Sequence, residues 1–84
     1  MTKFLYFAWV RERVGVAHEE RQIPETVTNV AELLSWLATQ GEQYENALSD
    51  AASLRVALDH IHADAQSPIK GAKEIAIFPP MTGG

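Results

Sequence analysis

The sequence contains no cysteine. That excludes disulfide cross-links, thiolate metal sites, a cysteine nucleophile and any Cys-borne sulfur chemistry within the chain, so packing alone must hold the fold. Positive charge is also scarce, with 7 Lys+Arg against 11 Asp+Glu and a formal net charge of -4. Without a Lys/Arg cluster the chain is a poor match for a phosphate backbone, and a basic protein surface is the better electrostatic partner. No apolar run approaches the ~20 residues that span a bilayer, and no basic-then-apolar leader opens the chain. No membrane partner is expected, and the chain is expected to be soluble and cytoplasmic. Gly-rich phosphate loops, HExxH and nucleophile elbows are missing too, and the carboxylates are scattered rather than paired.

What is present suits one small folded domain. The 84 residues are 46% hydrophobic and 21% charged, a balance that rules out disorder as the main state. Lys3 to Val10 (KFLYFAWV) is almost continuously apolar and reads as a central strand. Its parity puts Phe4, Tyr6, Ala8 and Val10 on one face and Lys3, Leu5, Phe7 and Trp9 on the other, with Lys3 marking the wetter side. Arg11-Glu12-Arg13 is expected to break this strand as a short helical turn that stops at Gly15. His18 to Ile23 is polar and meets Pro24, which suits an edge strand paired with the first.

The clearest helix runs from Val30 to Gln40. Val30, Leu33, Leu34 and Leu37 form one apolar stripe, Asn29 is a good N-cap, Glu32 completes a capping-box-like pattern, and Gly41 is a natural C′ residue. Trp36 lies at the stripe's edge and reads as core margin. Glu42 to Asp50 forms a further short helical piece around Tyr44 and Leu48. Leu54 to Asp59 alternates as a half-buried strand, with Leu54, Val56 and Leu58 inward and Arg55, Ala57 and Asp59 outward. His60 to Pro68 is a polar connection with a very short strand at its start, and Gly71 marks a turn. Glu74 to Phe78 is the last strand, ended by Pro79-Pro80, which lack N–H donors. This order predicts an α+β roll, a mixed sheet packed on one main helix, with the last strand beside the first in mid-sheet.

Three histidines are present: His18, His60 and His62. His60 and His62 form an HxH, but two ligands without a third do not make a metal site, so no metal is expected and the pair reads as a solvated loop. The C-terminal pattern is more informative. Gly83-Gly84 closes the sequence behind a stiff diproline. Proline projects a segment, and glycine passes through narrow spaces. Such a tail is suited to delivering a terminal carboxylate into another protein's active site. A carboxylate is inert as an acyl donor and needs activation, for example as an acyl-adenylate. Nothing in the chain binds ATP, so a partner must supply that step. Leu5, Phe7, Trp9 and Phe78, on the face marked by Lys3 and Glu74, would form an exposed apolar patch near the root of the tail.

Lys3, the run Phe7-Ala8-Trp9-Val10-Arg11-Glu12, the capped helix from Asn29 and the ending Phe78-Pro79-Pro80-Met81-Thr82-Gly83-Gly84 together resemble the small, sulfur-carrier subunits of molybdopterin synthase. Asp59-His60 stands where that family more usually has Asn-Gln, and Gly71-Ala72-Lys73 where its turn is commonly acidic. The resemblance implies a ubiquitin-like β-grasp domain over 1–80 and a flexible tail over 81–84. It also implies adenylation of Gly84 by an E1-like activating enzyme that consumes ATP, then conversion to a thiocarboxylate (a thioglycine) by a sulfur donor. The sulfur would pass to cyclic pyranopterin monophosphate in a large catalytic subunit, within a heterotetramer of two small and two large subunits. The implied partner interface is Leu5, Phe7, Trp9, Phe78, Pro79, Pro80 and Met81. Thr82 and Gly83 form the slim approach to the reactive Gly84. No cofactor is bound by the chain alone. Gly-Gly by itself also fits a carrier for thiamine or cysteine synthesis, or a protein modifier. The aromatic patch alone would suit a plain binding module.

Overall fold

A computed structural model describes residues 1–80. Five strands form one mixed sheet: β1 (Thr2–Tyr6), β2 (His18–Arg21), β3 (Arg55–Leu58), β4 (Ile61–Ala63) and β5 (Glu74–Phe78), in the order β2-β1-β5-β3-β4. β1 and β5 run parallel in the middle, and every other pairing is antiparallel. Three helices, α1 (Ala8–Val14), α2 (Val30–Ala38) and α3 (Glu42–Ala47), complete the fold.

Strand parity decides which side is the core. Phe4 and Tyr6 of β1, Ile75 and Ile77 of β5 and Val56 of β3 are buried on the inner face. There they meet Val10 and Val14 of α1, Leu33 and Leu37 of α2, and Tyr44 and Ala47 of α3. The expected α2 stripe is buried at Val30, Leu33 and Leu37 but only half-buried at Leu34, and Trp36 packs at the core margin.

The first apolar run is not one strand to Val10. Its ladder stops at Tyr6, Phe7 is extended at φ -128, and Ala8 turns to φ 53 to open α1. The Phe7 carbonyl then accepts from the N–H groups of Val10 at 3.1 Å and Arg11 at 3.3 Å. Val10 and Val14 are four residues apart and bury one helical face, so the apolar content of this run serves two periods in succession. Arg11, Glu12 and Arg13 therefore lie inside a helix. It stops where expected, at Gly15 with φ 98, whose N–H bonds the Arg11 carbonyl at 2.8 Å.

Smaller corrections follow the same logic. β2 ends at Arg21, before Ile23. α2 ends at Ala38 with Thr39 as its cap, and Gly41 opens α3 rather than closing α2. Helical structure after Gly41 runs to Ala47, followed by a 3-10 turn over Ala51–Ser53. β3 ends at Leu58, because Asp59 and His60 take φ 49 and 72 in a two-residue hairpin turn. Ala57 faces outward but is only 7% exposed.

The start of α2 is held from two sides. Asn29 Oδ1 accepts from the Glu32 N–H at 2.8 Å. Glu32 does not return that bond to Asn29. Its carboxylate accepts from the Thr28 N–H at 2.8 Å and the Thr28 hydroxyl at 2.6 Å, and these bonds hold it below the usual carboxylate range. The Val30 and Ala31 N–H groups donate to Ser67 and Ala65, so the connection between β4 and β5 satisfies donors that a helix start leaves open.

Candidate functional site

β5 brings the chain to the site. Its parallel register with β1 pairs Tyr6 with Ile77, and the Phe7 N–H donates to the Ile77 carbonyl at 3.2 Å. Phe7 and Phe78 therefore stand together at one end of the sheet. Their rings meet edge to face, with centroids 6.5 Å apart and planes at 82°. Phe7 is 46% exposed, so the pair is open to a partner. Pro79 and Pro80 are half-buried and leave β5 at this same end. Met81, Thr82, Gly83 and Gly84 lie outside the described residues.

The outer face carries the rest of the patch. Leu5 of β1 pairs with Ala76 of β5, and Ala76 pairs with Ala57 of β3. Leu5, Ala76 and Phe78 are half-buried on that face. Trp9 does not join the strand face on which the parity reading placed it. It lies in the first turn of α1, packs against the core, and holds the Arg13 guanidinium 4.6 Å from its ring centre. The structure thus brings Leu5, Phe7 and Phe78 together and places Trp9 on the neighbouring helix.

A histidine expected in a solvated loop borders the patch. His62 lies on β4, and its ring meets Phe78 edge-on with centroids 5.5 Å apart. Its partner in the HxH, His60, points elsewhere, with Nε2 2.8 Å from Glu74 Oε2. Two-residue alternation on a hairpin strand would have placed His62 opposite an outward residue of β3; the missing information was the hairpin's register. Among the described residues no three His, Cys, Asp or Glu side chains gather in a way that could hold a metal ion. A groove of about 750 Å³ opens between α2 and the β3–β4 hairpin, lined by Leu34, Ala38, Leu54 and Ala63. It is an apolar groove without a catalytic constellation. What the arrangement offers chemically is a presenting surface, an aromatic ledge with a diproline leaving its edge.

Comparison with known proteins places this geometry. The profile of the ThiS family matches residues 4–84. The chain belongs to the ThiS family. Within reach of this ThiS-family chain are the molybdopterin synthase sulfur carrier subunits of Haemophilus influenzae and Escherichia coli, each 33% identical over 84 residues, with the whole of this chain and the whole of each relative covered. The fold is also that of SAMP1 from Haloferax volcanii, with a TM-score of 0.72 and 20% identity over 99% of this chain and 98% of that one. These likenesses agree with the sheet order and establish a ubiquitin-like β-grasp. No described helix is long and apolar enough to cross a membrane.

Proposed function

We propose that this chain is the sulfur carrier subunit of a molybdopterin synthase, and that Gly84 carries the sulfur. The observation that carries the reading is the full-length 33% identity to two proteins of that name. The parallel β1–β5 pair supports it, because it fixes Phe7 and Phe78 at the point where Pro79-Pro80 leave the domain. The folded body presents, and other proteins act.

The chemistry runs in balanced steps. A Gly84 carboxylate oxygen attacks the α-phosphorus of ATP held by an E1-like activating enzyme, and pyrophosphate leaves. A donor of sulfide-level sulfur then attacks the acyl carbon, and AMP leaves with the oxygen, giving a thiocarboxylate. Inside the large subunit that sulfur forms a bond to a carbon of the cyclic pyranopterin monophosphate precursor, and the oxygen that carbon carried leaves with its electron pair, in one round on the opened phosphate and in the other as water. Hydrolysis of the acyl–sulfur bond returns Gly84 as a carboxylate with an oxygen from water. Two rounds supply the two sulfurs of the dithiolene. Two small subunits flanking a large-subunit dimer would allow both sites to be served. The role of this chain is to present a slim tail: Pro79-Pro80 stiffen its root, and Gly83 has no side chain to obstruct a narrow channel.

Intact-mass spectrometry of the chain from sulfur-replete cells tests this. Replacement of one oxygen by one sulfur at Gly84, dependent on the activating enzyme and ATP, is the expected result. An unchanged mass under those conditions would remove the carrier reading. Covalent conjugates to lysines on denaturing gels would instead indicate a protein modifier.

A further inference from the structure

The register sets five residues in one row across the whole sheet: His18 opposite Leu5, Leu5 opposite Ala76, Ala76 opposite Ala57, and Ala57 opposite His62. An apolar stripe thus runs between two histidines. His62 does more than end the row. Its strand is two places from β5, a span of about 9.5 Å between backbones, yet its ring lies 5.5 Å from that of Phe78. The two side chains therefore lean toward each other across β3, where the outward Ala57 is only 7% exposed. A larger residue at 57 would hold them apart. Phe7, Phe78 and His62 form one continuous aromatic ledge beside the exit of the diproline.

We propose that His62 is part of the partner-docking face and that the partner docks on its neutral imidazole. The inference rests on the carrier reading above, with the large subunit as the occupant. Imidazole is the side chain whose ordinary titration spans pH 5 to 8. Covering it with an apolar surface penalises its charged form. Nearby charges do not compensate. Arg55 of β3 is exposed opposite Phe78 and adds a positive charge on the same face. Asp64, just after β4, accepts from the Gln66 N–H and the Ser67 hydroxyl. Glu74 of β5 is held by His60, and Asp59 accepts from the Lys73 and Glu74 N–H groups. At the other end of the row His18 lies opposite Leu5, two residues along from the Lys3–Glu20 pair, and touches neither phenylalanine ring.

The test measures affinity of the full chain for the large subunit from the same organism, by calorimetry at about pH 7.5 and about pH 5.5. Wild type is expected to bind about tenfold more weakly at the lower pH, the equivalent of one unit of proton linkage. His62→Gln, which cannot gain the proton, should lose most of that ratio, and His62→Phe should dock at both pH values. His18→Asn should keep the wild-type ratio. Circular dichroism of each variant establishes that the domain is folded. An unchanged pH ratio in His62→Gln would overturn the inference and leave the carrier reading standing. Absence of wild-type binding at the higher pH would overturn both.

Discussion

The Tyr6 hydroxyl donates to Glu19 Oε2 at 2.6 Å, joining the core of β1 to a carboxylate on edge strand β2. Tyr44 of α3 donates to the same oxygen at 2.7 Å, and Arg21 donates to the Tyr44 hydroxyl at 2.8 Å. The Arg21 Nε lies 3.2 Å from Glu19 Oε2, an ion-pair distance without hydrogen-bond alignment. The network closes the inner layer where α3 meets β2. Burial pushes Glu19 upward, but the hydrogen bonds from Tyr6 and Tyr44 and the nearby Arg21 charge outweigh it and hold the carboxyl below its ordinary range. Burial and then Glu19 push Tyr6 far above the usual phenol range.

Two pH limbs are expected from these directions. The folded state holds the Glu19 proton less tightly than the unfolded chain does, so stability is full above 4.5 and falls as pH drops below it. The unfolded chain releases the Tyr6 proton more readily than the folded one does, so stability falls as pH rises above 10.0. Urea unfolding across pH should show both limbs. Glu19→Gln should flatten the acid limb and cost about 1–3 kcal/mol at neutral pH by weakening the acceptor for two tyrosines. An acid limb unchanged in that variant would place its origin elsewhere.

The β3–β4 turn offers a stabilising change. Asp59 and His60 both have positive φ, which favours Asn-Gly over side chains such as imidazole. His60 is 82% exposed at the side chain, so its pairing with Glu74 contributes little. Replacing Asp59-His60 by Asn-Gly should add about 0.5–1 kcal/mol and raise the melting temperature by a few degrees. Asp59→Ala should do the opposite, because Asp59 Oδ1 takes the N–H groups of Lys73 at 3.0 Å and Glu74 at 2.9 Å.

These particulars show what the sequence carries and where it falls short. β5 was legible to the residue, because alternation between two Gly/Pro boundaries leaves one register. The α2 stripe and the Asn29 cap were legible for the same kind of reason, a period plus a local stop signal. The β1–α1 boundary was not, because no Gly or Pro marks it: Ala8 takes a positive φ that only the packing of Val10 and Val14 selects. Trp9 was misplaced as a consequence. His62 reads from the sequence as part of a solvated loop because its neighbour Phe78 lies two strands away, a relation that only the sheet order supplies. Parity, with the first and last strands expected side by side, puts Leu5, Phe7 and Phe78 on the outer face, where the structure has them.

The α2 stripe separates two adjacent leucines. Leu33 is fully buried, whereas Leu34 is half-buried and lines the groove beside the β3–β4 hairpin. Leu33→Ala should cost about 2–5 kcal/mol, since it leaves a cavity in a close-packed layer. Leu34→Ala should cost clearly less. Denaturant midpoints at constant slope would check the difference, and equal losses would mean that the groove side is packed as tightly as the core.

The aromatic ledge should separate docking from stability. Phe7 is 46% exposed and Phe78 is half-buried, so neither ring anchors the inner core. Phe78→Ala and Phe7→Ala should each reduce stability by no more than about 1 kcal/mol, yet weaken binding of the large subunit at least tenfold, as central aromatic anchors do. The two rings touch edge to face, so the losses should not add. A double-mutant cycle on binding should give a coupling of about 0.5–1.5 kcal/mol. Strictly additive losses would mean that the partner grips each ring separately, and unchanged affinity in both single variants would move the docking face off this side of the sheet.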